Sequence, residues 1–125
     1  MELRTAVSPK DVKHYTTDRL REEFLIQSLF TPDEIKLVYS HIDRIITGAA
    51  TPVSKELHLT AGDELRAAYF LERREMGVIN IGGAGKITID GKVYPVPYKE
   101  GMYIAMDPKE ISFSSDDAST PAKFY

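Results

Sequence analysis

The sequence has no cysteine, no tryptophan and only three histidines, and it holds no apolar run long enough to cross a bilayer. Without thiols there can be no cysteine nucleophile, zinc ribbon or disulfide framework, and the composition fits a reducing compartment. A span would need about eighteen or more consecutive apolar residues, so no membrane helix is expected. Met1-Glu2-Leu3-Arg4 leads into no apolar h-region, so no signal peptide is expected and the expected location is cytoplasmic. An excess of basic charge is missing as well. Sixteen Lys and Arg against nineteen Asp and Glu leave −3, which argues against general nucleic-acid binding.

What is present suits one globular domain. Its 125 residues are 42% hydrophobic and 28% charged. A chain of that size buries roughly two-thirds of its unfolded surface and needs no metal or disulfide staple.

Punctuation along the chain separates an N-terminal arm, residues 1–34, from a β-rich remainder, residues 35–125. Ser8-Pro9-Lys10-Asp11 is a helix start, with Ser as cap and Pro at the first helical position. Thr17 is placed to cap a second short helix through Phe24, and Thr31-Pro32-Asp33-Glu34 resembles a capping box. From Ile35 to Thr47 the chain is rich in Ile, Val and Tyr, which predicts a strand ending at Gly48. Further strands are expected over Val53–Thr60, Ala67–Leu71 and Val78–Ile81. Two more flank the hairpin signal Asp90-Gly91, and Met102–Ala105 and Ile111–Ser114 follow. About nine short strands with short N-terminal helices predict an all-β fold, a barrel or jelly roll. Pro121-Ala122-Lys123-Phe124-Tyr125 begins like one more strand, either cut short or docked as a terminal strand.

Gly82-Gly83-Ala84-Gly85-Lys86 invites a phosphate-loop reading. Asn80 stands where the first glycine belongs and a strand follows instead of a helix, so a tight turn is the better reading. Cupin barrels offer a better frame. Glu75 and Gly82 keep the spacing of the first cupin motif, and Gly101 and Pro108 approximate the second. The metal-binding histidine positions then fall on Tyr69, Leu71 and the neighbourhood of Phe113. Leu and Phe have no lone pair to offer a metal, so a metal-free, packed barrel is expected.

The polar candidates are few. His41 and Asp43, two apart on one expected strand, would share a face and could orient an imidazole for acid–base work. A hydrogen-bonded pair at a sheet edge is the plainer alternative. Glu72-Arg73-Arg74-Glu75 supplies two guanidinium forks suited to a carboxylate, and Arg44 is a further cation. An exposed or intersubunit salt-bridge network is the favoured, plainer alternative.

Three long runs carry a family resemblance. They are Tyr39-Ser40-His41-Ile42-Asp43-Arg44-Ile45-Ile46, the segment Tyr69 to Gly85, and Thr120-Pro121-Ala122-Lys123-Phe124-Tyr125. Together they resemble the N-terminal half of the 5-keto-4-deoxyuronate isomerases, bacterial ketol-isomerases of pectin and uronate breakdown. The resemblance implies a cytoplasmic, hexameric aldose–ketose isomerase with two cupin-like barrels per chain. Its zinc ligands lie in a C-terminal barrel that this chain lacks, so no metal site is expected here. It also implies a keto-uronate substrate. Within this half, Arg44, Arg73 and Arg74 are the substrate-binding candidates, and His41 and Glu75 are the candidates for a base. The 125-residue chain alone is expected to be inactive, a scaffold and assembly half. One alternative is a stand-alone, non-catalytic cupin that binds an acidic sugar or mediates oligomerisation. Another, the sensor domain of a regulator, would need a DNA-binding module, and no helix-turn-helix pattern is present.

Overall fold

A computed structural model describes all residues 1–125. Strand β1, Glu2–Arg4, precedes helices α1, Pro9–Val12, and α2, Thr17–Phe24. The Ser8 hydroxyl accepts from Lys10 N–H, and Pro9 opens α1 as expected. In α2 the cap is Thr16, one residue earlier than expected: its hydroxyl accepts from Arg19 N–H at 3.4 Å. Thr31-Pro32-Asp33-Glu34 caps no helix. Instead, Asp33 accepts from the N–H groups of Val53 and Ser54, both at 2.8 Å, and pins a distant loop.

The remaining strands are β2, Ile35–Ser40; β3, Ile45–Ala50; β4, Leu57–His58; β5, Met76–Ile79; β6, Gly85–Ile89; β7, Lys92–Val96; β8, Gly101–Ile104; and β9, Ile111–Ser115. They form sheets β1-β2-β3, β4-β9-β6-β7 and β5-β8. The fold is all-β, with nine strands and short N-terminal helices.

Three expected strands are corrected. Ile35–Thr47 is an antiparallel hairpin, broken at His41–Arg44 with Ser40 paired to Ile45. Asp43 and Arg44 take φ of 57° and 55° there, and Ser40 Oγ accepts from Ile42 N–H. A turn with neither Gly nor Pro left no punctuation to see. His41 and Asp43 therefore do not share a strand face. Val53–Thr60, whose alternation would bury Val53, Leu57 and Leu59, shrinks to Leu57–His58; Leu57 and Leu59 are buried, whereas Val53 is only half-buried. Ala67–Leu71 is a run of turns that delivers Phe70 and Leu71 to the core.

The Asp90-Gly91 turn is as expected, with both residues at positive φ and Ile89 paired to Lys92. A single apolar cluster fills the space between the sheets, centred on Leu71, Ile87, Phe113 and Phe124. The terminal segment belongs to that core. Ala122 and Phe124 are buried, and the rings of Phe124 and Phe113 lie 5.3 Å apart. Its backbone bridges Ala50 at the end of β3 to Asn80 just past β5.

Candidate functional site

One cavity dominates, with a volume of about 720 Å³, walled largely by apolar side chains of β2, β3 and β5 and by Phe70, Phe113 and Phe124. Charge enters at only a few positions. Arg44 comes from the turn between β2 and β3; Arg73, Arg74 and Glu75 come from the approach to β5. The fold thus brings the three arginines and Glu75 to one cavity, although thirty residues separate Arg44 from Arg74.

Their partners differ. Arg73 is exposed and touches Glu72 at 3.5 Å, a long pair of little energetic weight. Arg74 is half-buried and has no carboxylate partner. Its guanidinium lies 5.6 Å from the Phe70 ring centre, and its Nη1 is buried with no hydrogen-bond acceptor. The four-residue cluster is therefore not a closed salt-bridge network within the chain. Glu75 accepts a short hydrogen bond from the Tyr103 hydroxyl across the β5–β8 pair. That bond, with some desolvation and the nearby negative charge, raises the Tyr103 pKa above its ordinary value.

His41 lies outside this group. It is exposed in the turn, its ring edge-on to Tyr39 at 5.2 Å. His58 is exposed on β4, and His14 is exposed beyond α1. The positions onto which the cupin-motif spacing maps metal ligands are unsuited to zinc. Leu71 and Phe113 are packed in the apolar core, and the Tyr69 hydroxyl is committed to Asp107 at 3.2 Å. Burial and that contact push the Tyr69 pKa up.

Sequence reasoning gave Asn80 no role beyond a failed glycine position. It is fully buried and its side-chain amide is saturated. Nδ2 donates to the carbonyls of Gly83, 2.8 Å, and Val96, 2.7 Å; Oδ1 accepts from Gly82, 3.0 Å, and Lys123, 3.1 Å. The polar break in Val78-Ile79-Asn80-Ile81 was the available signal. Gly82 and Gly83 gain a reason too. A Cβ on Gly82 would sit 2.5 Å from Lys123 N, and one on Gly83 would overlap the Thr120 carbonyl. These glycines let the terminal segment lie directly on the backbone.

This arrangement defines an all-β domain of three small sheets, with an arginine-bearing cavity and its terminal segment built into the core. No family model matches the chain. Over its whole length the chain resembles 4-deoxy-L-threo-5-hexosulose-uronate ketol-isomerases. It is 77% identical to the one from Lachnoclostridium phytofermentans and 59% identical to the one from Lachnospira eligens, in each case over 100% of this chain and 45% of the relative. Against the Escherichia coli protein of that name it is 48% identical, covering 46% of that protein. The chain thus spans about half the length of the curated relatives it matches. A solved cupin protein from Bacteroides fragilis is 25% identical over 74% of this chain and 72% of that one, with a TM-score of 0.36.

Proposed function

We propose that the chain is the N-terminal half of a ketol-isomerase that interconverts 5-dehydro-4-deoxy-D-glucuronate and 3-deoxy-D-glycero-2,5-hexodiulosonate in uronate catabolism. In this reading the half is a scaffold and assembly module in the cytoplasm, part of a hexamer. Similarity along the whole of this chain to about half of relatives of that name supports the reaction. The observation that carries the scaffold role is the packing of Leu71 and Phe113 in the apolar core, at the positions where the motif spacing would put metal ligands.

A ketol-isomerase shifts a carbonyl to the neighbouring carbon, commonly by moving a proton through an enediolate. That route needs a base, and the developing oxyanion is stabilised by a Lewis acid. Zinc would supply the Lewis acid from the half absent here. Of the groups in this half, Glu75 has the carboxylate for proton transfer but is tied to Tyr103, and His41 stands apart from the cavity.

The test is zinc binding by the purified 125-residue chain, with metal counted after dialysis. Far less than one zinc per chain is expected; stoichiometric zinc would overturn the scaffold reading.

A second reading has its own observation. Arg44, Arg73 and Arg74 meet at one cavity, and Arg74 Nη1 lacks an acceptor. A stand-alone cupin holding the carboxylate of an acidic sugar would use such a group. Titration with galacturonate separates the two: saturable binding lost in Arg74→Met favours the sugar binder, and no binding favours the scaffold.

A further inference from the structure

The cavity has an open seam in its wall. Strand β3 pairs with β2 on one side only, and β5 pairs with β8 on one side only. Between their free edges the terminal residues are already zipped to both strands. Ala50 N–H donates to Phe124 C=O at 2.9 Å, and Phe124 N–H donates back at 3.0 Å. Tyr125 and Ile79 exchange the same pair of bonds at 2.8 and 2.9 Å, and Ile81 N–H donates to Lys123 C=O at 2.9 Å.

Alternation along a strand then fixes what the free edges present. Ala50 turns its N–H and C=O toward Phe124, so Gly48 and Ile46, two and four residues back, turn theirs the same way, away from β2. Likewise Ile79 faces Tyr125, so Gly77 faces the seam. These backbone groups sit on two facing edges that the strands beside them leave unpaired.

We propose that this seam is a strand-acceptor site, and that its occupant is the polypeptide directly following Tyr125 in a longer chain. The chain covers under half the length of its relatives, so they hold further polypeptide. The register follows from the rungs already formed. The first and third residues beyond Tyr125 pair with Gly48 and Ile46 of β3, and the second pairs with Gly77 of β5. Phe124 points inward and Tyr125 is exposed, so the first and third side chains enter the cavity and the second faces out. Sheets β1-β2-β3 and β5-β8 become one continuous sheet, which removes two exposed edges that would otherwise template aggregation. A free peptide in the same seam would need to order itself on binding, whereas a continuation of Phe124-Tyr125 arrives in register. The proposal does not rest on the isomerase reading.

The experiment compares amide exchange in the 125-residue chain and in the same chain extended by the residues that follow in the Lachnoclostridium phytofermentans relative. The N–H groups of Ile46, Gly48 and Gly77 are expected to exchange about tenfold or more slower in the extended chain. Thr47, which faces β2, and Ile87 in the core are expected to stay unchanged and report intact folding. Proline at the second residue of the extension removes the N–H that donates to the Gly77 carbonyl, and by breaking that half of the pair is expected to weaken the strand there and reduce the protection of Gly77 N–H. No slowing at those three amides, with Thr47 and Ile87 still protected, overturns the proposal. Protection already present in the short chain, with sedimentation as a dimer, puts a second copy in the seam and overturns it as well.

Discussion

The side chain of Asn80 accepts a hydrogen bond from the backbone N–H of Lys123 at 3.1 Å, across 43 residues of sequence. That contact ties the end of the chain to the strand that leaves the cavity. Because the same amide also serves Gly82, Gly83 and Val96, one buried residue holds three separate segments in register.

Replacing Asn80 with Ala removes the side-chain partner of two carbonyls and two N–H groups, of which the Val96 contact is buried and the other three part-buried. Each buried unpaired group costs about 1–3 kcal/mol, with some relief from water. Asn80→Ala is expected to lose roughly 3 kcal/mol or more by urea denaturation. Asn80→Asp is expected to be no better, since a carboxylate cannot donate to Gly83 and Val96.

Phe124 tests the terminal segment by packing instead of polarity. It is 1% exposed and packs on Phe113. Phe124→Ala is expected to cost about 3–5 kcal/mol, as large-to-small core changes do. A loss below about 1 kcal/mol in the same urea titration would mean that the segment is only loosely docked.

Asp33 sets an acid limit. The Ser54 hydroxyl and the Val53 and Ser54 N–H groups hold its carboxylate in the charged form and lower its pKa to about 2. A depressed folded pKa gives stability that is fully present above the unfolded value near 4 and fades as pH falls toward 2. The stability gap between the native chain and Asp33→Asn is expected to be flat above pH 5 and to close between pH 4 and 2. A gap that is constant through that range contradicts the hydrogen-bond account.

Two of the seven tyrosines are expected to ionise late. Tyr103 is held neutral chiefly by its bond to Glu75, and Tyr69 chiefly by burial with help from Asp107. For a raised folded pKa the neutral form is the stabilised one, so its contribution is present below pH 10 and lost above it. Absorbance titration of Tyr103→Phe should lose one late-titrating group. Glu75→Gln should move that group back toward the ordinary range.

Much of the fold could be read from residues whose physics is local. Asp90-Gly91 forced a hairpin, Ser8-Pro9 opened a helix, and the β-branched runs formed strands. What escaped was non-local. Asp43 and Arg44 turn the chain at positive φ with no glycine to mark it, so one expected strand became two. Asp33 looks like a cap in sequence because Asp caps helices, yet its partners lie twenty residues away. For the site, Arg44, Arg73, Arg74 and Glu75 could be picked out singly by charge. That they line one cavity, and that His41 does not join them, depends on how β3 sits against β5. Asn80 carried only a faint signal, one polar residue in an apolar strand.

The most direct test of the scaffold assignment is a ketol-isomerase assay with 5-dehydro-4-deoxyuronate and added zinc. The 125-residue chain would be run beside the full-length Lachnoclostridium phytofermentans relative. The account predicts turnover by the full-length protein and none by the short chain. Turnover by the short chain would place the catalytic groups among Arg44, Arg73, Arg74, Glu75 and His41 and contradict the scaffold role.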